Sequence, residues 1–97
     1  MEHIEGMGRP RGCKLIRLSA DMEGDVIRFL GIRGDFFASP EEEFDMIEKR
    51  LAGTPLGELA ERFDTLLAEG GVRVSGINGA GVALILEAAR RTGPDGA

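Results

Sequence analysis

The sequence predicts an α+β fold, with an antiparallel β-hairpin near the N-terminus packed against about three helices. Two observations predict it. Apolar and polar residues alternate from Cys13 to Met22, and a β-rich segment, Val26–Arg33, follows after a turn. Apolar residues then recur at helical spacing in three later segments. Because side chains repeat every two residues in a strand and every 3.6 in a helix, the two patterns are distinguishable. At 97 residues the chain has room for one domain.

The predicted hairpin has one apolar face. In its first strand four residues share that face: Ile16, Leu18, Ala20 and Met22. Gly24 lies in the turn, where a hairpin needs a residue with positive φ. In the second strand Leu30 and Ile32 share a face, and Ile27 is out of phase with them, which predicts a β-bulge. Phe29 should then point away from the apolar face.

The first helix is predicted to begin at Ser39. The string Ser39-Pro40-Glu41-Glu42 matches a capping box, with Ser39 as the N-cap, Pro40 at the first helical position and Glu42 two residues further on. The apolar stripe of this helix is Phe44, Ile47 and Leu51. Gly53 is placed to terminate it, because glycine tolerates the left-handed conformation that follows many helices.

Two more helices are predicted on the same grounds. Thr54-Pro55 repeats the N-cap pattern, and the second helix ends at Gly70-Gly71. The segment Val72–Ile77 is too short to decide between extended and irregular structure. Asn78 is an N-cap candidate for the last helix; the amides there could instead hold a phosphate, although Gly76–Gly81 does not fit a dinucleotide fingerprint. The two apolar stripes are Leu56, Leu59, Ala60, Phe63, Leu66 and Leu67, and then Val82, Ile85, Leu86 and Ala89.

Composition excludes several classes of function. Twelve Lys and Arg against 17 Asp and Glu give a formal net charge of −5, which argues against a nucleic-acid binder and against docking on an anionic membrane. No apolar run approaches the roughly 20 residues of a membrane span. The sequence therefore predicts a cytoplasmic protein.

The sequence contains few cysteine and histidine residues that could act as a nucleophile, a general base or a metal ligand. The single cysteine, Cys13, cannot form an internal disulfide or a multi-thiolate metal site. The single histidine, His3, falls in a Gly/Arg/Pro-bearing segment, residues 1–11, predicted to be a flexible tail. Residues 12–92 are predicted to form the domain, and residues 93–97 a second tail. We expect no catalytic residue and no metal site, so the chain by itself is not expected to be an enzyme.

The most unusual local string is Gly34-Asp35-Phe36-Phe37. Both rings could close the core if the chain bends, or one ring could enter the core and the other an interface, since adjacent residues of an extended chain point oppositely. Lys14 is expected at the mouth of the apolar face, as an edge lysine with its stem packed. Cys13 is either a small packing residue or a reactive thiol near cations.

Several segments carry a resemblance to the C-terminal accessory domain of lipoate–protein ligases. The family pattern has a Gly-Gly-Lys opening, an apolar strand, a Gly-bearing turn, a second strand ending Gly-Asp-Phe-Phe, and Pro/acidic helix starts. Here Cys13 stands where the family has its second glycine. The matching segments are Gly12-Cys13-Lys14-Leu15-Ile16-Arg17-Leu18, Glu23-Gly24-Asp25, Ile32-Arg33-Gly34-Asp35-Phe36-Phe37, Leu51-Ala52-Gly53-Thr54-Pro55 and Gly76-Ile77-Asn78.

The resemblance implies a fold like that accessory domain, which is also similar to sulfur-acceptor scaffold proteins. It implies that the chain is the separate small subunit of a bipartite ligase, forming a heterodimer with a large catalytic subunit. That subunit would hold lipoate, ATP and Mg²⁺, and the pair would form lipoyl-AMP for transfer to lipoyl-acceptor proteins. We expect the partner interface to use Lys14, Phe29, Asp35, Phe36 and Phe37.

Two other functions stay open on sequence grounds. The chain could be a sulfur acceptor that uses Cys13, in which case Cys13→Ser would abolish activity. It could also be a stand-alone binding module. Only the ligase subunit predicts co-purification with a large ligase chain and no requirement for the thiol.

Overall fold

A four-stranded antiparallel sheet forms one layer and three helices cover its apolar face, in a computed structural model that describes residues 1–92. This confirms the predicted α+β fold. A second sheet of two short strands, β4 and β6, lies beside the first, whose strand order is β1-β2-β3-β5. The strands are β1 Glu2–Gly8, β2 Ile16–Glu23, β3 Val26–Gly34, β4 Phe37–Ser39, β5 Thr54–Pro55 and β6 Arg73–Ser75. The helices are α1 Glu41–Arg50, α2 Leu59–Gly70 and α3 Gly79–Thr92, with one 3₁₀ turn at Leu56–Glu58.

The predicted flexible tail at residues 1–11 is wrong, because β1 lies there and pairs along its whole length with β2. Ile4 is buried in the core. Gly6 faces α3 so closely that an added Cβ would lie 2.9 Å from Cβ of Ala89 and 3.0 Å from Cγ2 of Ile85. The glycine that suggested a mobile segment is therefore what lets this strand pack on the helix. The other predicted tail, residues 93–97, lies outside the described residues.

His3 ties β1 to β2 on the outer, solvent-facing side of the sheet. Its Nδ1 lies 2.7 Å from Oδ1 of Asp21 on β2, and its Nε2 lies 3.0 Å from Oε2 of Glu5. Hydrogen bonds to these two carboxylates, Glu5 first, raise the pKa of His3 above its ordinary value. The imidazolium is thus favoured in the folded state.

The contribution of His3 to stability should therefore decrease as pH rises above about 6.5. A raised folded-state pKa gives a stabilising contribution that is complete below the unfolded pKa of about 6.5 and is lost as pH rises through the raised value. We expect His3→Gln to melt with less pH dependence than the wild type between about pH 5.5 and about pH 8.5. Parallel melting curves for the two proteins across that range would contradict this role of His3.

The hairpin and its bulge are confirmed. Leu18 pairs with Ile32 and Ala20 with Leu30, and the register shifts between Asp21 and Met22. The shift returns Ile27 to the buried face, where it is completely enclosed. Phe29 is 52% exposed on the outer face, as predicted.

The starts of α1 and α2 differ from the predictions. Pro40, and not Ser39, is the N-cap of α1, and no side chain caps this helix, because Ser39 belongs to β4. The N-terminal residue of α2 is Leu59, because Thr54 and Pro55 pair with β3 instead of capping a helix. The Thr54 hydroxyl is buried without a hydrogen-bond partner among the described residues.

The helix ends and the last start follow the predictions more closely. α1 ends with Leu51 as its C-cap, two residues before Gly53. α2 ends at Gly70, and Gly71, its C-cap, has φ +65°. The ambiguous segment contains β6, which pairs antiparallel with β4. Asn78 caps α3, since its Oδ1 accepts a hydrogen bond from the Gly81 amide at 2.7 Å.

The predicted stripes of the helices form the core with the inner face of the sheet. Phe63 of α2 is completely buried at the centre of this core. Arg90, near the end of α3, joins this helix to the hairpin turn: it donates to Oδ1 of Asp25 at 2.8 Å and to the Gly24 carbonyl at 2.7 Å. The buried apolar side chains of the helices are Phe44, Ile47, Leu59, Phe63, Leu66, Leu67, Val82, Ala83, Ile85 and Leu86.

Candidate functional site

Three segments of the chain meet at the end of the sheet where β2 begins and β3 ends. The Lys14 amide donates to the Gly76 carbonyl at 2.8 Å, and the Asp35 amide donates to the Leu15 carbonyl at 2.9 Å. Phe37 of β4 pairs with Ser75 of β6. We call the segments 13–15, 34–37 and 75–77 the junction. It brings together four of the five predicted interface residues: Lys14, Asp35, Phe36 and Phe37.

Two glycines make the junction possible. Gly34 has φ +153°, and an added Cβ would overlap the Leu15 carbonyl oxygen and lie 3.0 Å from Cα of Ile16. Gly76 has φ +84°, and an added Cβ would lie 2.6 Å from Cγ of Lys14. Both positions combine a left-handed backbone with a close neighbour, which favours glycine. The three segments can touch only because neither residue has a side chain.

The two phenylalanines of the junction have different surroundings. Phe36 is partly buried, and its ring centroid lies 5.4 Å from that of Phe44 at an interplanar angle of 46°. Phe44 in turn makes an edge-to-face contact with Phe63 at 6.1 Å. Phe37 is 60% exposed. Of the two arrangements open from the sequence, the structure has the one in which the rings diverge. That Phe37 contacts a partner stays a prediction.

Lys14 and Asp35 are both exposed at the junction. The Lys14 stem packs over Gly76, as a lysine does when only its ammonium is in water. Within residues 1–92, neither side chain forms an ion pair. The backbone of each is fixed by a hydrogen bond, so both side chains project from a defined point of the surface and their charges are available to another molecule.

Cys13 is a packing residue in this structure. It is half-buried against the core, its amide donates to the Pro10 carbonyl at 2.9 Å, and its Sγ lies 2.7 Å from the position a Cβ on Gly81 would occupy. This contact between the thiol and α3 matches the packing interpretation of Cys13.

Three of the amides at the start of α3 donate to protein groups. The Gly79 amide donates to Oδ1 of Asp64 at 2.8 Å, and the Gly81 and Val82 amides donate to the side chain and the carbonyl of Asn78. A phosphate would have to displace Asp64, a carboxylate already placed there. Of the two interpretations of this segment, the helix N-cap at Asn78 is therefore correct and the phosphate site is not.

Phe29 lies apart from the junction. It sits on the outer face of the sheet opposite Asp21, and its ring lies 3.4 Å from the position a Cβ on Gly31 would occupy. Along β3, Phe29 lies five residues before Gly34, the first residue of its junction segment. The structure therefore does not join Phe29 with the other four predicted interface residues.

A row of residues on the outer face beside the junction was not predicted from the sequence. Met7, Arg17 and Arg33 are directly opposite one another on β1, β2 and β3. The alternation of β2 implies that Arg17 lies on the polar face, but which residues lie beside it depends on the strand register and on β1. Arg33 donates to the Ile32 carbonyl at 2.8 Å and lies 3.4 Å from Oε2 of Glu48.

Glu48 of α1 closes part of the free edge of β3. Its Oε2 accepts a hydrogen bond from the Ile32 amide at 2.6 Å, in the place of a strand that β5 is too short to supply. Burial raises the pKa of Glu48, while the Ile32 amide and Arg33 act in the opposite direction. This carboxylate has a structural role in the sheet.

The described residues offer neither a metal site nor a membrane-spanning helix. No group of three His, Cys, Asp or Glu side chains in residues 1–92 is arranged to hold a metal ion. In the same part of the chain, no helix has the length and apolar character needed to cross a membrane. The arrangement at the junction can fix a cation, a carboxylate and an exposed aromatic ring on a rigid surface, which suits recognition of another molecule.

Comparison with known proteins gives one informative result. No protein-family model matches the chain, and no curated protein matches it. Among solved structures, the chain is similar to one from a structural analysis of an archaeal lipoylation system, a bi-partite lipoate protein ligase and its E2 lipoyl domain from Thermoplasma acidophilum. The TM-score is 0.63 at 26% sequence identity, over 87% of this chain and 93% of that chain. The fold and most of the length of this chain are thus similar to a component of a lipoylation system.

Proposed function

We propose that this chain is the accessory subunit of a bipartite lipoate–protein ligase. It would bind a larger ligase chain and be required, with that chain, for the ATP-dependent activation of lipoate to lipoyl-AMP. It would itself contribute no catalytic residue. The observation that carries the proposal is the similarity to a component of the archaeal lipoylation system, which extends over 93% of that component.

The motif resemblance supports the accessory role within that system. The segments that resemble the ligase accessory domain include Lys14 and Gly34-Asp35-Phe36-Phe37, and these meet at the junction. A similar fold alone would not require the string Gly34-Asp35-Phe36-Phe37 to lie at an exposed surface. At this end of the sheet the string is accessible to another protein, as the binding surface of an accessory subunit must be.

A small subunit can assist adenylation without supplying a reacting group. An acyl-adenylate is hydrolysed if water reaches it, so closing the ligase site over the intermediate protects it. Binding to the closed form would also shift the ligase chain toward the geometry that reacts with ATP. Lipoate, ATP and Mg²⁺ would then be held by the ligase chain, and acceptor proteins would meet this chain only indirectly, in the cytoplasm.

The proposal is tested by following pyrophosphate release from ATP and lipoate with the ligase chain of the same organism. We expect addition of this chain to raise the rate by at least about tenfold, which corresponds to about 1.4 kcal/mol of barrier. Transfer from pre-made lipoyl-AMP to an acceptor should be unchanged. A rate independent of this chain would refute the accessory role.

The same assay separates the competing functions. The accessory role predicts full activity for Cys13→Ser, whereas a sulfur acceptor predicts its loss. If the chain were instead the lipoyl acceptor, a lysine would gain the lipoyl group; Lys14 and Lys49 are its only lysines. Intact-mass measurement after the reaction, with Lys14→Arg and Lys49→Arg as matched variants, detects that outcome. A stand-alone binding module would change neither the rate nor the mass.

A further inference from the structure

Positive charge is concentrated beside the junction in a chain that is acidic overall. Residues 8–20 contain Arg9, Arg11, Lys14 and Arg17 and no Asp or Glu, although the whole chain has a formal net charge of −5. All four side chains are exposed. The end row of the sheet, in which Gly8 pairs with Ile16 and Ile16 with Gly34, places this segment at the same end of the molecule as Arg33.

Two of the arginines lie in a position that the sheet itself does not favour. Arg17 and Arg33 are directly opposite each other on neighbouring strands, and like charges so placed destabilise a strand pair. Arg33 is partly compensated by Glu48. Within residues 1–92, Arg17, Arg9, Arg11 and Lys14 form no ion pair. A repulsive pair of this kind favours a role outside the folding of the chain.

The opposite end of the sheet shows that this fold can neutralise its cations. There, Nε of Arg28 lies 2.7 Å from Oε1 of Glu23, and Nη1 of Arg90 lies 2.8 Å from Oδ1 of Asp25. The His3 ring lies between Asp21 and Glu5. These cations are thus paired within the chain at this end, whereas at the other end Arg33 is the one of the five cations with a carboxylate partner among the described residues. Exposure to solvent does not explain this difference in ion pairing, because both ends of the sheet are exposed to solvent.

We propose that the cationic end, formed by Arg9, Arg11, Lys14, Arg17 and Arg33, docks a carboxylate-rich surface of the ligase chain. This inference rests on the proposed function, and it adds the chemistry of the partner surface. Met7, 64% exposed in the same row as the two arginines, supplies an apolar contact among the charges. An apolar contact with a charged rim is characteristic of protein–protein interfaces.

Charge also determines which face of this chain the partner meets. An acidic partner surface is repelled by the net charge of −5 of the whole chain and is attracted most strongly where the cations cluster, at the cationic end. The field therefore orients the encounter as well as strengthening it. A nucleic acid, with negative charge along its whole length, would meet repulsion beyond this end, which favours a protein partner of limited acidic area.

The test measures binding of the ligase chain to this chain at several salt concentrations. The variant is the double charge reversal Lys14→Glu with Arg17→Glu, and the control is Arg62→Glu, an exposed residue of α2, a helix that contributes no residue to the junction. We expect the double variant to bind at least about tenfold more weakly and with a smaller salt dependence. Arg62→Glu should bind within about twofold of the wild type. Melting curves establish that each variant is folded.

Each outcome has a distinct meaning. If the wild type binds and the double variant binds equally well, the docking inference is wrong and the accessory role stands. If the wild type does not bind the ligase chain, both fail. If the double variant keeps its affinity for the ligase chain but slows transfer to the acceptor protein, the cationic end serves the acceptor, and the inference as stated is overturned.

Discussion

Replacing Gly34 with alanine should destabilise the fold by about 3 kcal/mol, because a side chain there overpacks the junction against backbone atoms that cannot move aside. The added Cβ would overlap the Leu15 carbonyl oxygen and lie 3.0 Å from Cα of Ile16. That carbonyl also accepts the Asp35 amide hydrogen bond, so relief of the overlap would break the contact that holds Asp35 in place. For a domain of this size we expect Tm to fall by roughly 10–20 °C.

Gly24→Ala is the matched control for this prediction. Gly24 also has positive φ, at +59°, but nothing lies within 4 Å of its Cβ position. Alanine there should cost only the left-handed conformation, about 1 kcal/mol. Equal losses for the two variants, measured by chemical denaturation, would show that conformational preference alone explains Gly34 and that the close approach of Leu15 does not matter.

The sequence was sufficient wherever a pattern repeated over several residues. The alternation from Ile16 to Met22 and the stripe that contains Phe63 report burial directly, because a side chain facing the core must be apolar. The bulge was also predictable, since only an extra residue returns Ile27 to the face of Leu30 and Ile32. These features are local, and their cause lies in neighbouring residues.

The errors arose where tertiary contacts override local preference. Glu2–Gly8 contains two glycines and one strongly apolar residue, which suggests a loop, yet Gly6 is required for the approach to Ile85 and Ala89. Thr54-Pro55 has the composition of a helix start, but the edge of β3 takes it as a short strand. In each case the structure depends on a segment distant in sequence, α3 for Gly6 and β3 for Thr54-Pro55, and a single sequence does not show where that segment lies.

The candidate site was predicted in part for the same reason. The string Gly34-Asp35-Phe36-Phe37 was conspicuous by composition, and Lys14 by its place in the motif. Their meeting through Gly76 depends on β6, a segment of only three residues that carried no clear signal. The row of Met7, Arg17 and Arg33 required β1 to be in place. The side chains could be named from the sequence, but their arrangement could not.

The divergent rings of the junction give the second large expected effect, as a pair of opposite results. Phe36→Ala removes a partly buried ring that contacts Phe44, and we expect a loss of about 2–3 kcal/mol, somewhat below that for a fully buried phenylalanine. Phe37→Ala removes a ring that is 60% exposed, so stability should change by less than about 0.5 kcal/mol. Denaturation of the isolated chain measures both values.

Binding to the ligase chain should reverse that order of importance. An exposed aromatic ring held on a rigid strand is the kind of residue that dominates interface energy, and its truncation commonly costs about 2 kcal/mol or more. We therefore expect Phe37→Ala to weaken the complex by at least about tenfold while the free chain stays fully folded. Met46→Ala is the matched control, because Met46 is a comparably exposed apolar residue, 51% exposed, on α1 and outside the junction. If Phe37→Ala and Met46→Ala bind the ligase chain with equal affinity, Phe37 is not part of the interface. The role of β4 would then be structural, as the strand that pairs with β6.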